Sequence, residues 1–397
     1  MSSFSRNVPL LAFCQAMAMS GASLMVATAA LVGFELAEDK SLSTLPLAVQ
    51  FIAVMLTSIP AAMLMNKIGR KASFLFAFLF AVSGAVISTL AIMQHEFWWF
   101  VGGVSLIGVH NSFANYYRFT AADAVDIDHK SRAISFVMAG GVIAAIIGPN
   151  LANYTRDGFQ GMAFAGSYAS LVVLYFLSVI AIAFLKLPVE ERSEKKEAAQ
   201  RDLIEILKQP VCIVAIICGM LGYGVMSFVM TATPLAMNHH NHNFSDTSFV
   251  IQWHVLAMFA PSFITGFIIR RTGELKVMLA GVLFGFACVV FNLAGTTIVH
   301  FWLALVLLGV SWNFMFVGAT SLLTQAYHRA ERFKVQALND FIIFSVVAFA
   351  SLSAGYLQYN FGWRSVNMGV LPLLLIAMLS IVYLMVYQYR EKRQVYI

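Results

Sequence analysis

Apolar residues along this chain run on continuously in stretches of about twenty, broken by short polar interruptions, rather than recurring at the spacing of one helix face. The stretches fall near 8–34, 44–66, 72–93, 97–120, 132–154, 162–185, 211–236, 246–269, 276–295, 299–325, 336–358 and 364–388. Each is long enough to cross a hydrocarbon layer of ~30 Å as a helix. Inside lipid every backbone polar group must be satisfied within the segment or by a closed barrel. Long continuous runs, as opposed to short alternating ones, predict helices.

Composition fits that pattern: of 397 residues 60% are hydrophobic and only 11% are charged, more apolar surface than a soluble core could hide. The predicted fold class is an all-α polytopic membrane protein with twelve transmembrane helices. The first stretch is longer than a signal core and only Arg6 is charged before it, so it is expected to remain as a span. Of the 25 Lys and Arg, all but Lys40, Arg156 and Arg364 fall on one side if the helices alternate in direction. The positive-inside rule then predicts both termini in the cytoplasm. It puts the polar loop Asn238-His239-His240-Asn241-His242-Asn243 outside. A pI near 9.1 thus reads as membrane orientation and calls for no nucleic-acid partner.

The densest charge run, Glu190 to Glu197, lies at the middle of the chain and reads as a solvated linker with a surface helix continuing through Leu207. The predicted organisation is a six-helix bundle over 1–185, a cytoplasmic linker over 186–210 and a second six-helix bundle over 211–397. The halves echo one another. Ala62 to Lys71 aligns with Gly266 to Leu275, setting Gly69 opposite Gly273, and Gly108-Val109 with Phe113 recurs as Gly309-Val310 with Phe314. Parallel repeats of six helices predict a secondary transporter with its path between the halves.

Along its whole length the chain resembles the major facilitator superfamily. Gly69, Arg70 and Lys71 match that family's loop motif between helices 2 and 3, while Ala62 and Asn66 stand where the family usually has glycine and aspartate. The resemblance implies a gate at the cytoplasmic side involving Asn66 and Arg70, with Asp123 as partner of Arg70. Gly140, Gly148 and Pro149 partly match an antiporter motif, but Ala152 and Asn153 replace its closing glycines.

A transporter fold does not name its cargo. Gln15, Gln50, His110, Asn111, Arg118, Tyr223, Gln252, His254, Asn313, Asn339 and Asp340 are polar residues within apolar stretches, where each is costly unless bonded or functional. Asp340 and Arg118 lie at similar depth, which makes them candidates for a gate salt bridge or for coupling. Soft donors offer a second candidate site. Met226 and Met230 are spaced i, i+4 on helix 7, and His254 and Met258 likewise on helix 8, so each pair shares a helix face. Counted from the predicted outer ends, the two pairs lie level. Three thioethers and an imidazole suit a monovalent copper ion better than a hard cation; the thioethers bind it reversibly without needing deprotonation, and protonation of His254 would remove its lone pair and add pH dependence. His239, His240 and His242 are candidates for gathering the ion at the mouth.

Met226 with Met230, and His254 with Met258, are similar to the signature of the CcoA-type bacterial copper importers, a branch of the superfamily. That resemblance implies import of copper by alternating access across the bacterial cytoplasmic (inner) membrane, supplying cuproenzymes such as cbb3-type cytochrome c oxidase. Copper would be cargo rather than cofactor, and a cytoplasmic copper acceptor the implied partner. The riboflavin importers form a sister branch, so a small organic solute, riboflavin-like metabolite or drug, is the alternative. No nucleophile with its base, nor a closed ligand set at the surface, points to an enzyme.

Overall fold

Continuous apolar sequence becomes continuous helix. The computed structural model describes residues 4–125, 133, 136–137, 139–186, 201–328 and 331–395. The first half holds α1 (Phe4–Leu36), α2 (Leu45–Ile68), α3 (Arg70–Met93), α4 (Phe97–Ala114), α5 (Tyr117–Asp123), α6 (Gly140–Thr155) and α7 (Ala165–Ala183). A short helix, α8 (Leu203–Leu207), follows the charged run, all of which lies outside the described residues. The second half holds α9 (Pro210–His239), α10 (Phe244–Phe259), α11 (Ser262–Thr272), α12 (Glu274–Ala294), α13 (Ile298–Leu323) and α14 (Arg332–Val395).

Among the described residues eight helices are individually long and apolar enough to cross a membrane, and the pair α10 and α11, bent by 40°, makes a ninth. One of the eight, Leu338–Glu391, has 54 residues, about twice what a bilayer needs. Three predicted boundaries are corrected. The span expected over 97–120 breaks after Ala114, and the span over 246–269 bends at Pro261, which has no N–H to continue the ladder. The last two spans run together as α14 and are separated only by a kink at Gly362 (φ 75°). Of the span expected over 132–154, the helix Gly140–Thr155 is seen, and most of 126–138 lies outside the described residues.

The echo between halves is structural as well as sequential. Gly69 (φ 83°, ψ 158°) and Gly273 (φ 88°, ψ 156°) make the same sharp join, α2 to α3 and α11 to α12, in a region of backbone space that residues with a Cβ avoid. Gly108 lets α4 approach α2, where an added Cβ would come within 2.5 Å of the Gln50 carbonyl. Gly309 lets α13 approach α10, with the His254 carbonyl at 2.6 Å. Around these contacts α1 packs on α6 and α7, α3 on α4 and α7, α9 on α13 and α14, and α12 on α13. The halves meet along two seams, α2 with α14 and α6 with α10.

Hydrogen bonds cross between the halves at the end bearing the histidine-rich loop. The Thr44 hydroxyl donates to the Leu352 carbonyl (3.2 Å) and accepts from the Gly355 N–H (3.2 Å), and the Asn150 amide donates to Gln252 (2.9 Å). These bonds join the halves there. At the opposite, linker end, Glu331 ties the linker to the α13–α14 connection. It accepts from Arg201 Nε (3.0 Å), an Arg201 terminal nitrogen (2.7 Å), the Arg201 N–H (2.9 Å) and the His328 N–H (2.9 Å), while its side chain is only 2% exposed. These donors, Arg201 foremost, hold the Glu331 carboxyl well below the usual carboxylate range. A depressed folded-state pKa contributes stability that is fully present above the unfolded carboxylate range and is lost as pH falls through the folded value. Melting of purified protein against pH should therefore show wild type more stable than Glu331→Gln by a constant margin from pH 8 to about pH 5, with the gap narrowing only in stronger acid. A margin that widens on acidification would contradict the assignment.

Candidate functional site

Met226, Met230, His254 and Met258 are all buried, with 2%, 5%, 0% and 7% exposure. They do not meet simply because their helices are consecutive: α9 and α10 touch little, and each packs along α13. Gly222 of α9 lies against Met315 of α13, so Met226 and Met230, one and two turns on, stand on the α13-facing side. On the other side, His254 Nδ1 bonds the Leu305 carbonyl at 2.7 Å, and the Met258 carbonyl accepts from the Asn313 amide at 2.7 Å. Counting turns along α13 from these contacts puts Met226 level with Met258 and Met230 level with His254. Because the carbonyl bond takes the Nδ1 proton, the His254 Nε2 keeps its lone pair. That atom is buried and has no hydrogen-bond partner.

A second arrangement surrounds Tyr223, one residue along from Gly222. Its ring lies 5.5 Å from Trp312, 5.4 Å from Phe316 and 5.9 Å from Phe344. Trp312 stacks on Phe316 (5.1 Å, 12° between planes) and meets Phe259 at 5.8 Å. The Trp312 indole N–H is buried and has no partner. Four helices supply these rings: α9, α10, α13 and α14. Arg118 and Tyr116, from the first half, and Asp340 and Tyr223, from the second, lie within electrostatic range of one another. Asp340 is exposed and Asn339 donates to it at 3.2 Å, while Arg118 is half-buried. The result is an aromatic cluster with charged neighbours that straddles the boundary between the halves.

Asn313, next to Trp312 on α13, braces the bend beside this cluster. Besides the Met258 carbonyl, its amide bonds Ser262 (2.6 Å), and its carbonyl oxygen accepts from Thr265 (2.7 Å). Three partners across the bend between α10 and α11 fix that bend. Sequence reasoning flagged Tyr223, Asn313, Arg118 and Asp340 but missed Trp312, Phe316, Phe344, Phe259 and Tyr116. Trp312 and Phe316 are spaced i, i+4 beside the flagged Asn313, a signal that was available.

The remaining candidates divide. Arg70 and Tyr116 interact electrostatically, while the side chains of Asn66 and Asp123 lie outside the described residues. In the histidine-rich loop, His239 and His240 meet ring to ring at 5.4 Å, whereas His242 Nε2 bonds the Thr296 carbonyl at 2.7 Å. His240 is held below the ordinary imidazole range, chiefly by partial burial and then by its histidine neighbours, and so is neutral near pH 7. Among the described residues no three His, Cys, Asp or Glu side chains are grouped to hold a metal ion, so any metal reading rests on thioethers. The four cysteines are buried and free.

The sequence profile of the Major Facilitator Superfamily matches residues 10–351 and, separately, 215–395. The riboflavin transporter RfnT of Brucella anthropi is 39% identical over 379 residues, covering 95% of each chain. An uncharacterised MFS-type transporter of Bacillus subtilis, YdeG, is 24% identical over 401 residues, 94% of this chain and 91% of its own. Among solved structures, the POT family transporter PepTSo superposes with a TM-score of 0.74 at 11% identity, covering 98% of this chain and 99% of that one, which speaks to the fold alone.

Proposed function

The chain belongs to the major facilitator superfamily and is a multi-pass secondary transporter, not an enzyme; from that premise we propose that it carries a small planar organic solute of the riboflavin type. The observation that carries this reading is the aromatic cluster of Tyr223, Trp312, Phe316, Phe344 and Phe259 beside the boundary between the halves. Ring faces from four helices offer stacking to a flat heterocycle, and the unpartnered Trp312 N–H offers it a hydrogen bond. The 39% relative transports riboflavin, which supports the same cargo class. Arg118 and Asp340, drawn from opposite halves, would part and meet as the halves rock, making them the candidates for gating or coupling. With the linker and both termini in the cytoplasm of a bacterium, the histidine-loop end faces outward and the solute leaves past Asp340.

A second reading is copper import, favoured by one specific feature. His254 is oriented by the Leu305 carbonyl so that a buried Nε2 lone pair remains open, at the depth of Met230 and one turn from Met258. That geometry is what a soft-ion ligand needs. Under this reading copper is the cargo and a cytoplasmic acceptor the partner.

Uptake of radiolabelled riboflavin and of radioactive copper, in cells expressing wild type, Met226→Leu or His254→Leu against an empty-vector control, separates the two. Riboflavin uptake above the control that survives both substitutions is expected. No riboflavin uptake, together with copper uptake that both substitutions abolish, would move the assignment to copper.

A further inference from the structure

Three cations break the one-sided distribution of Lys and Arg, and two of them, Lys40 and Arg156, rest on aromatic rings at the histidine-loop end. Lys40 sits 5.4 Å from the Phe34 ring. Arg156 sits where it touches both halves: its guanidinium lies 5.3 Å from the ring of Phe164, at the start of α7, and 5.7 Å from that of Phe244, at the start of α10. The two rings meet edge to face at 4.8 Å and are 4% and 6% exposed. One cation and two rings from opposite halves thus close the mouth of the α6–α10 seam.

The local chain is shaped to make this contact. α6 ends at Thr155, the chain turns, and the Phe164 N–H returns to bond the Arg156 carbonyl at 2.8 Å. Phe164 itself has φ 68° and ψ −8°, a left-handed conformation that residues with a Cβ avoid. Packing against Phe244 and Arg156 holds the ring there. Deeper in the same seam Asn150 bonds Gln252, and Phe259 fills the space beside Gly141.

We propose that Arg156, Phe164 and Phe244 form the gate at the histidine-loop end of the transport path, a cation–π clasp that joins the halves in this conformation and parts when that end opens. Alternating access requires each end of the seam to open in turn, and a contact present in only one state biases the equilibrium between them. A cation over rings suits the task. The Arg156 side chain is 39% exposed and also lies 3.9 Å from Asp157, so the contact is a partly solvated one of modest strength, and on opening the guanidinium exchanges the ring faces for full hydration. The proposal holds for either cargo, so its failure and that of the solute reading are independent.

The test uses purified full-length protein carrying Ser248→Cys. Ser248 is buried and lies one turn beyond Phe244 on the same helix face, so a charged maleimide reaches it only when the seam opens. Arg156→Gln and Phe244→Leu should each speed labelling roughly tenfold, the scale of one partly buried cation–π contact, and Arg156→Lys should speed it less. Labelling at the wild-type rate in Arg156→Gln, or an increase in Arg156→Lys as large as in Arg156→Gln, overturns the proposal. Native Cys218, fully buried and bonded to α14, reports unfolding separately. A variant that labels there is set aside, and Phe244→Leu then decides by the same comparison with the wild-type rate.

Discussion

Gly309→Val is expected to yield little folded protein, with the surviving fraction melting well below wild type and transporting neither riboflavin nor copper. A Cβ on Gly309 would sit 2.6 Å from the His254 carbonyl, 2.8 Å from Ala257 Cβ and 3.0 Å from the Met258 N–H nitrogen. Two of these are backbone atoms, which no rotamer change can move aside. Relief requires α13 to separate from α10, and that loosens the bond from His254 to Leu305 and the bond from Asn313 to Met258. Overpacking of ~1–3 kcal/mol plus two weakened buried hydrogen bonds at ~1 kcal/mol each gives about 3–5 kcal/mol, a large part of a typical folding free energy. Gly102→Val, at a helical position with nothing within 4 Å, is the control and should melt like wild type. Equal melting temperatures for the two variants in detergent would refute the close-approach argument.

Trp312→Ala carries the second large effect. The indole stacks on Phe316, meets Tyr223 and Phe259, and brings a buried N–H donor without a partner. Removing one stacking ring costs a bound heterocycle ~1–3 kcal/mol, so the KM for riboflavin uptake should rise about 5- to 150-fold. Maximal uptake should fall less, and Trp312→Phe, which keeps a ring but no N–H, should fall between the two. Since Trp312 offers no soft donor, copper uptake by the same variant should stay at the wild-type level. A riboflavin KM unchanged in Trp312→Ala would remove the aromatic cluster from the substrate path.

Much of the architecture was legible before any tertiary contact was known. Twelve apolar stretches map in order onto the helices, because in lipid a segment must satisfy its own backbone and so declares itself locally. The break at Pro261 and the kink at Gly362 were hidden inside stretches of uniform hydropathy, which reports transfer into lipid and not backbone direction. The repeat was readable through glycine: Gly69 with Gly273 and Gly108 with Gly309 do matching work, and a missing side chain leaves a mark in the sequence.

The site was legible only in part. Helix periodicity and depth counting suffice to set Met226 level with Met258 and Met230 level with His254, since both are properties of single helices. That α13 stands between α9 and α10 is a matter of packing, and no spacing within either helix encodes it. The aromatic cluster is more remote still, for its rings come from positions 223, 259, 312, 316 and 344, with Arg118 arriving from the other half. The sequence by itself determined a two-fold repeat of membrane-spanning helices, because burying each span in lipid is a local free-energy problem. Only the tertiary structure decided which faces meet, because contact between helices depends on the shapes of two surfaces at once.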